Sequence, residues 1–210
     1  MLTIRQRQVE KMKPEHTIFT IDLWQDQDAE NPCDYGLWKF VSFNNRHIGY
    51  ESPYNYLSGR DKFGEFIPAN IGIARKLKTG TAFIVSCYEH GVSCYSLLGE
   101  GTQCRWDTTL AAGILLLSNP KELKPKDREE SARRFLEIYT NWANGWIYGF
   151  SIEVDGEFID GCGGFDDATY MFEEITERIK SHIKENGIEE YEFTYTGQAV
   201  DLSHYHSVEI

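Results

Sequence analysis

Trp146-Ile-Tyr-Gly-Phe-Ser-Ile-Glu-Val-Asp-Gly-Glu-Phe-Ile-Asp160 is the stretch that decides the fold. Two segments rich in aromatic and β-branched residues flank Asp155-Gly156, a dipeptide that supplies the positive φ angles of a type I′ turn. The stretch therefore predicts a β-hairpin. Downstream, residues 167–184 carry apolar side chains at helical spacing, and Asn186-Gly187 ends that helix. A hairpin followed by an amphipathic helix favours an α+β fold, with helices packed on an antiparallel sheet.

The remaining segments fit the same fold class. A second amphipathic helix is predicted over 127–144, where Asp127 and Glu130 have the spacing of a capping box. A weaker signal suggests a short helix over 69–77. Further strands are predicted over 16–23, 37–43, 81–88, 92–98, 111–117 and 189–196. We expect one α+β domain over residues 1–210, with a polar lead-in over 1–16 and a loose tail over 197–210.

Negative charge is concentrated in the C-terminal third. Residues 1–150 contain 18 basic and 18 acidic side chains, whereas residues 151–193 contain 13 acidic and three basic ones. The formal net charge of the whole chain is -12. Such a field reaches about 8 Å in physiological salt and attracts a basic protein surface. It repels nucleic acid and anionic membranes, so we expect neither as a direct partner.

The acidic third is the candidate binding site. Carboxylates on a strand pair and a helix can mimic phosphates and occupy the Arg and Lys side chains that a nuclease uses for nucleic acid. The alternative is a solvated acidic face that only keeps the protein soluble. The candidate partner-binding residues are Glu153, Asp155, Glu157, Asp160, Asp166, Asp167, Glu173, Glu174 and Glu177.

Cysteine usage predicts free thiols. The five cysteines form an odd set, and the N-terminal residues lack the apolar region of a signal peptide. No run of 18 apolar residues occurs, so no membrane span is predicted. These features predict a cytoplasmic protein whose cysteines stay reduced. The cysteines are Cys33, Cys87, Cys94, Cys104 and Cys162.

Two groups of residues have ligand types that could hold a metal. Cys87, His90, Cys94 and Cys104 could ligate zinc, but no second closely spaced pair exists to complete a tetrahedral site. An acidic segment over 22–30 could hold Mg²⁺ or Ca²⁺, but it lacks the glycine and distant glutamate of a calcium loop. We interpret Cys87 and Cys94 as small apolar side chains of two strands and the acidic segment as a solvated turn, and we predict no metal and no cofactor.

Three local motifs have a chemical and a structural interpretation. Cys104 could be a nucleophile with His90 as its base, or Cys104 and Trp106 could anchor a loop on the core. The glycine-rich segment 161–164 is interpreted as a turn, since the acidic residues that follow would repel a phosphate. Basic residues over 121–134 alternate with acidic ones and predict a salt-bridged helix surface.

Three segments carry a family resemblance. They are Asp26-Gln-Asp-Ala-Glu-Asn-Pro-Cys-Asp-Tyr-Gly36, then Glu89-His-Gly-Val-Ser-Cys-Tyr-Ser with Cys104-Arg-Trp-Asp107, then Ile147 to Cys162. In order and spacing they resemble a family of small acidic proteins of phages and mobile elements, whose function is largely unassigned. The resemblance covers about residues 17–180 and implies a role against host defence. The chain departs from it at Arg105, where the family has proline, and at Gly163-Gly164-Phe165, where the family has an aromatic-rich turn.

These observations lead to one functional expectation and its alternatives. We expect a non-enzymatic phage protein that acts as a DNA mimic in the host cytosol. It would inhibit a nucleic-acid-targeting defence enzyme, as anti-CRISPR and antirestriction proteins do. The alternatives are a phage metalloprotein or cysteine-dependent enzyme centred on Cys87, His90 and Cys104, and a phage structural or regulatory protein.

Overall fold

The computed structural model describes residues 16–197, and these form two compact units. Within that range, unit 1 comprises residues 16–25 and 148–197, and unit 2 comprises residues 26–147. Helices and largely antiparallel sheets occur together, so the predicted α+β class is confirmed. The single domain over 1–210 stays a prediction. The predicted lead-in and tail lie almost wholly outside the described residues.

The strands and helices follow the predicted order, with three additional short elements. The strands are β1 Thr17–Gln25, β2 Trp38–Ser42, β3 Leu57–Arg60, β4 Phe66–Pro68, β5 Ala82–Glu89, β6 Ser93–Leu97, β7 Thr108–Leu117, β8 Tyr148–Val154, β9 Glu157–Phe165 and β10 Tyr191–Gly197. The helices are α1 Pro32–Tyr35, α2 Ile71–Lys78, α3 Arg128–Ala143 and α4 Ala168–Asn186.

Unit 1 is a four-stranded sheet with one helix on one face. The strand order is β10-β1-β8-β9, with β1 and β10 parallel and the other neighbours antiparallel. Alternate residues of β1 and β8 point to α4, as the contacts of Phe19 with His182 and of Phe150 with Arg178 show. The buried residues on this side include Phe19, Ile21, Phe150, Ile152, Met171, Ile175 and Ile179.

The hairpin predicted around Asp155-Gly156 is confirmed. Asp155 has φ 52° and Gly156 has φ 82°, the positive values that a type I′ turn needs. Strand β9 is longer than predicted and contains residues 161–164, so the interpretation of that glycine-rich segment as a turn is wrong. The register of β9 with β8 shifts between Cys162 and Phe165, which accommodates Gly163 and Gly164 within the sheet, and it shifts again between Phe158 and Asp160.

The ends of α4 are as predicted, whereas the capping box of α3 is not formed. The Asp167 side chain accepts hydrogen bonds from the Thr169 and Tyr170 backbone N–H groups, and Gly187 ends the helix in the left-handed conformation. Asp127 makes no capping hydrogen bond, because a 3₁₀ turn over Pro125–Asp127 places its backbone in the helical region. An N-cap residue normally has extended backbone angles that bring its side chain over the first turn.

Unit 2 is an antiparallel sheet covered on both faces. The strand order is β2-β7-β5-β6. One face packs against α3 through a core whose members include Trp38, Phe40, Leu115, Leu136 and Tyr139. The other face packs against a smaller cluster that includes Val41, Ile73 and Ile114 and involves α2. The short β3–β4 hairpin and α1 were not predicted from the sequence.

Candidate functional site

The charge asymmetry of the sequence coincides with the division into units. In the described range, unit 1 has 14 acidic side chains and three basic ones, Arg178, Lys180 and Lys184. Unit 2 has 15 acidic and 14 basic side chains. The acidic stretch seen along the sequence is therefore one folded body, to which β1 adds Asp22. A basic partner would be attracted to unit 1 far more strongly than to unit 2.

Among the nine candidate carboxylates, Asp155 and Asp167 stabilise the backbone at the hairpin turn and at the start of α4. Asp155 Oδ1 accepts a hydrogen bond from the Ile18 N–H at 3.0 Å, which ties the hairpin turn to β1. Asp167 Oδ1 accepts from the N–H groups of Thr169 at 2.8 Å and Tyr170 at 3.3 Å. A carboxylate at a helix N-terminus also interacts favourably with the helix dipole. Both residues have a structural role that needs no partner protein.

Two further candidates share one arginine. Arg178 on α4 forms an ion pair with Asp160 of β9, with 2.6 Å between Nη1 and Oδ2, and a longer one with Glu174 at 3.5 Å. Its guanidinium carbon also lies 5.3 Å from the centre of the Phe150 ring. Arg178 therefore offsets part of the negative charge of Asp160 and Glu174 and holds the helix against the sheet.

The outer surface of α4 carries the most available carboxylates. Glu173 is exposed and makes no ion pair with any described residue. Glu177 pairs with Lys180 at 3.2 Å, but both side chains are largely exposed, so the pair is worth only about 0.5 kcal/mol. Tyr170 donates a hydrogen bond to Glu174 at 3.0 Å, which raises the pKa of this exposed tyrosine. We call Tyr170, Glu173, Glu174 and Glu177 the acidic helix face.

The other candidates lie elsewhere on unit 1. Glu153 is on the sheet face opposite α4, directly across from Phe158, whose side chain is 67% exposed. Glu157 begins β9 after the hairpin turn, and Asp166 precedes the cap of α4. The nine carboxylates therefore surround the unit, and Glu173, Glu174 and Glu177 share one helix surface.

The Cys104 loop brings Cys104, Asp107 and His90 together in an order that does not suit nucleophilic catalysis. The Cys104 thiol donates to Asp107 Oδ2 at 3.2 Å, and His90 Nδ1 lies 3.7 Å from the same oxygen. An imidazole that acts as a base must contact the thiol itself, whereas here the carboxylate contacts both groups. Cys87 is separate from this group and lies buried in β5.

Trp106 does not anchor this loop on the core, so that interpretation is wrong. Its side chain is 84% exposed, and the Arg105 guanidinium lies 5.2 Å from its ring centre. The loop is held by Thr108 instead. Its hydroxyl accepts from the Cys104 N–H at 2.9 Å and donates to the Thr102 carbonyl at 3.0 Å. These bonds fix the backbone without burying the indole.

The basic segment before and within α3 is only partly salt-bridged. Arg133 pairs with Glu100 at 2.8 Å and with Glu129 and Glu130, and Arg134 pairs with Glu137 at 3.2 Å. Arg128 instead donates to three carbonyl groups, of Thr79, Pro120 and Leu123. The predicted salt-bridged surface therefore holds for Arg133 and Arg134 of α3, and not for Arg128 or for the lysines that precede the helix.

Unit 2 contains two small clefts that were not predicted from the sequence. They enclose about 200 Å³ and about 190 Å³, and His47 and Tyr95 line both. The His47 ring is fixed on both sides, with Nδ1 3.2 Å from Ser42 Oγ and Nε2 3.3 Å from Asn44 Nδ2. Each cleft is smaller than typical ligand pockets of 300 Å³ or more. No motif in the sequence marks them.

The five cysteines are all free, as the sequence predicts. Cys87 is the most buried of them and lies within the aromatic core of unit 2. Burial raises its pKa to about 12, with a smaller contribution from Glu89. Burial likewise raises the pKa values of Tyr95 and Tyr139 in the same core. All three groups therefore keep their protons in the folded chain at neutral pH.

We expect unit 2 to lose stability in alkali. The folded chain keeps the Cys87 proton up to about pH 12, whereas an unfolded thiol loses it near 9.0. Above pH 9 the unfolded chain binds fewer protons, so the free energy of unfolding falls as pH rises. Urea unfolding midpoints, measured with reductant, should change little between about pH 7 and pH 9 and fall above pH 9. Cys87→Ala should reduce the fall between pH 9 and 10, and an unchanged profile would contradict this origin.

No protein-family model, curated protein or solved structure matches this chain. The resemblance to acidic phage proteins stays a prediction. In the part of the chain that the structure describes, no three His, Cys, Asp or Glu side chains are grouped so as to hold a metal ion. Likewise, none of the helices within residues 16–197 has the length and apolar composition to cross a membrane.

Proposed function

We propose that unit 1 is an acidic binding module that docks on a basic surface of another protein and blocks its access to nucleic acid. The observation that carries the proposal is the separation of charge into one compact unit, with 14 acidic side chains against three basic ones. Unit 2 has a similar number of acidic side chains, but its basic side chains balance them. It would therefore attract a basic partner protein much less than unit 1 does. The action is stoichiometric and involves no catalysis.

The acidic helix face is the part of unit 1 best suited to make this contact. Glu173, Glu174 and Glu177 follow one helix surface, and Glu173 has no competing ion pair among the described residues. Tyr170 adds an exposed aromatic ring, a residue type enriched at protein interfaces. A row of carboxylates beside an aromatic ring suits arginine, which pairs with the former and stacks on the latter.

The usual role of basic protein surfaces indicates the class of the partner. Proteins keep clusters of Arg and Lys chiefly to hold phosphates, so a nuclease or another nucleic-acid-binding enzyme is the expected target. The resemblance to phage proteins suggests a CRISPR effector or a restriction nuclease in the host cytosol. Unit 1 itself would repel nucleic acid, so the two ligands compete for the partner and do not bind each other.

The decisive measurement is the affinity of a charge-reversed protein for its partner. The full chain, immobilised, should capture the partner from nuclease-treated host lysate, and mass spectrometry should identify it. Glu173→Lys, Glu174→Lys and Glu177→Lys together should weaken binding at least about 100-fold, because charge pairs at close range couple by 1.5 kcal/mol or more. Wild-type binding should also weaken steeply between about 0.1 M and 1 M salt.

A matched control separates local from global charge. Asp28→Lys, Glu30→Lys and Glu122→Lys change the net charge equally, at exposed positions of unit 2. This control should keep the wild-type association within about threefold. Nucleic acid added to the preformed complex should release the protein. The proposal would be rejected if both triple variants lost affinity for the partner equally. It would also be rejected if the affinity did not depend on salt or on added nucleic acid.

A further inference from the structure

Unit 2 exposes large apolar side chains on adjoining elements, and its core does not use them. The surface is built from the β3–β4 hairpin, the turn before it and α2, and we call it the hairpin–helix surface. Tyr54 and Phe63 are each 78% exposed, Ile71 is 90% exposed and Ile67 is 41% exposed. Single exposed apolar residues are normal, but a group on adjoining elements is typical of an interaction site.

The same surface carries unpaired positive charge. Arg60, Lys62, Arg75, Lys76 and Lys78 are exposed and form no ion pair with described residues. The Arg60 guanidinium carbon lies 4.0 Å from the Phe66 ring centre, and Lys62 Nζ lies 4.8 Å from that of Phe63.

Only two acidic residues, Asp61 and Glu65, belong to these elements. Asp61 Oδ1 is occupied by the N–H groups of Phe63 and Glu65, at 2.8 Å and 2.9 Å. Five basic side chains therefore face solvent with little local compensation.

The side chains of the hairpin–helix surface indicate which class of partner it binds. A nucleic acid would use aromatic rings for stacking but would leave the aliphatic side chains of Ile67 and Ile71 unused. A protein surface that combines carboxylates with exposed aromatic rings would satisfy both the charges and the apolar groups. The chain itself presents such a surface on unit 1, where Glu173 and Glu177 lie beside the exposed Tyr170.

We propose that the hairpin–helix surface of one molecule binds the acidic helix face of a second molecule. The complementarity is between five unpaired basic side chains and an acidic unit that carries only three basic ones. Two different surfaces meet, so the contact is heterologous and either closes into a ring or extends into a chain. Self-association would cover the same carboxylates that the proposed function assigns to the basic partner. It is measured without that partner, so either proposal can fail while the other stands.

The test is a charge swap followed in the analytical ultracentrifuge. The wild-type protein should form oligomers of the 24.3 kDa chain in low salt as its concentration rises, and dissociate in about 1 M salt. Lys62→Glu with Lys76→Glu should leave the protein monomeric, and so should Glu173→Lys with Glu177→Lys. An equimolar mixture of the two variants should associate again, since each then carries the charge that the other lacks.

Two controls make the result specific. Lys121→Glu with Lys124→Glu changes the charge equally at exposed positions outside the surface and should preserve self-association. Phe63→Ser with Ile71→Ser should weaken association about tenfold or more, whereas Trp106→Ser, at a side chain of similar exposure, should not. Circular dichroism confirms that each variant is folded. A wild-type protein that stays monomeric, or variants that do not associate on mixing, would overturn the proposal.

Discussion

Gly113→Ala should lower the free energy of unfolding by about 3 kcal/mol, because the added methyl group has no room. A Cβ atom on Gly113 would lie 2.5 Å from the Phe40 ring and would also overlap the Val41 carbonyl oxygen. Val41 belongs to β2, which is paired with β7 across this position, so its carbonyl cannot withdraw without breaking the ladder. The Phe40 ring is held in turn by Tyr95 and Tyr139, with ring centres 5.4 Å and 4.8 Å away.

Urea denaturation followed by circular dichroism measures this loss, and Gly72→Ala is its matched control. Gly72 lies in the first turn of α2, where a Cβ would meet only the Asn70 side-chain oxygen at 3.1 Å. Alanine is also the better helix former, by up to about 1 kcal/mol. The control should therefore be neutral or slightly stabilising. Similar midpoints for both variants would show that the sheet of unit 2 adapts to the extra methyl group.

Phe150→Ala should destabilise unit 1 by about 3–5 kcal/mol, the range for removing a buried aromatic ring. Phe150 is fully buried in β8 and lies between the Phe165 ring, 5.6 Å away, and the Arg178 guanidinium. Its loss leaves a cavity and removes the ring beneath Arg178, whose ion pair with Asp160 joins α4 to β9. Partner binding should be lost as well, because the acidic helix face depends on the position of α4.

Phe158→Ala is the internal comparison for this substitution. Phe158 is on the neighbouring strand β9, but its ring is on the side of the sheet opposite α4 and is mostly exposed. The same substitution should change the free energy of unfolding by about 0.5 kcal/mol or less. Urea unfolding of both variants, together with the affinity for the captured partner, gives the comparison. If Phe158→Ala lowered the free energy of unfolding as much as Phe150→Ala, this account of the core would be contradicted.

Elements with a strong local signal could be predicted from the sequence. The Asp155-Gly156 turn depends on two residues, and α4 has an apolar stripe, an aspartate cap and a terminal glycine within one segment. The β3–β4 hairpin was missed because residues 49–80 are rich in Gly and Pro and do not alternate between polar and apolar. The parallel pairing of β1 with β10 joins the two ends of the described chain, and no local pattern encodes it.

The candidate site shows the same limit. The acidic content of residues 151–193 is visible in the sequence, but the role of each carboxylate is not. Asp155 and Asp160 differ because one accepts a backbone hydrogen bond from β1 and the other meets an arginine from α4. The encounter of Cys104 with Asp107 could be expected from their spacing. The approach of His90 to the same carboxylate depends on the pairing of β5 with β7.

The place of β1 in unit 1 constrains how the chain is made. Both neighbours of β1 in the sheet, β8 and β10, follow residue 147, so about 120 residues must leave the ribosome before β1 gains its first backbone partner. At synthesis rates of about 5–20 residues per second this interval lasts roughly 10 s, long compared with the folding time of most small domains. Unit 2 can complete its own sheet within that interval. Until β8 has been made, the nascent chain therefore carries an unpaired apolar strand, Thr17–Gln25, to which chaperones can bind.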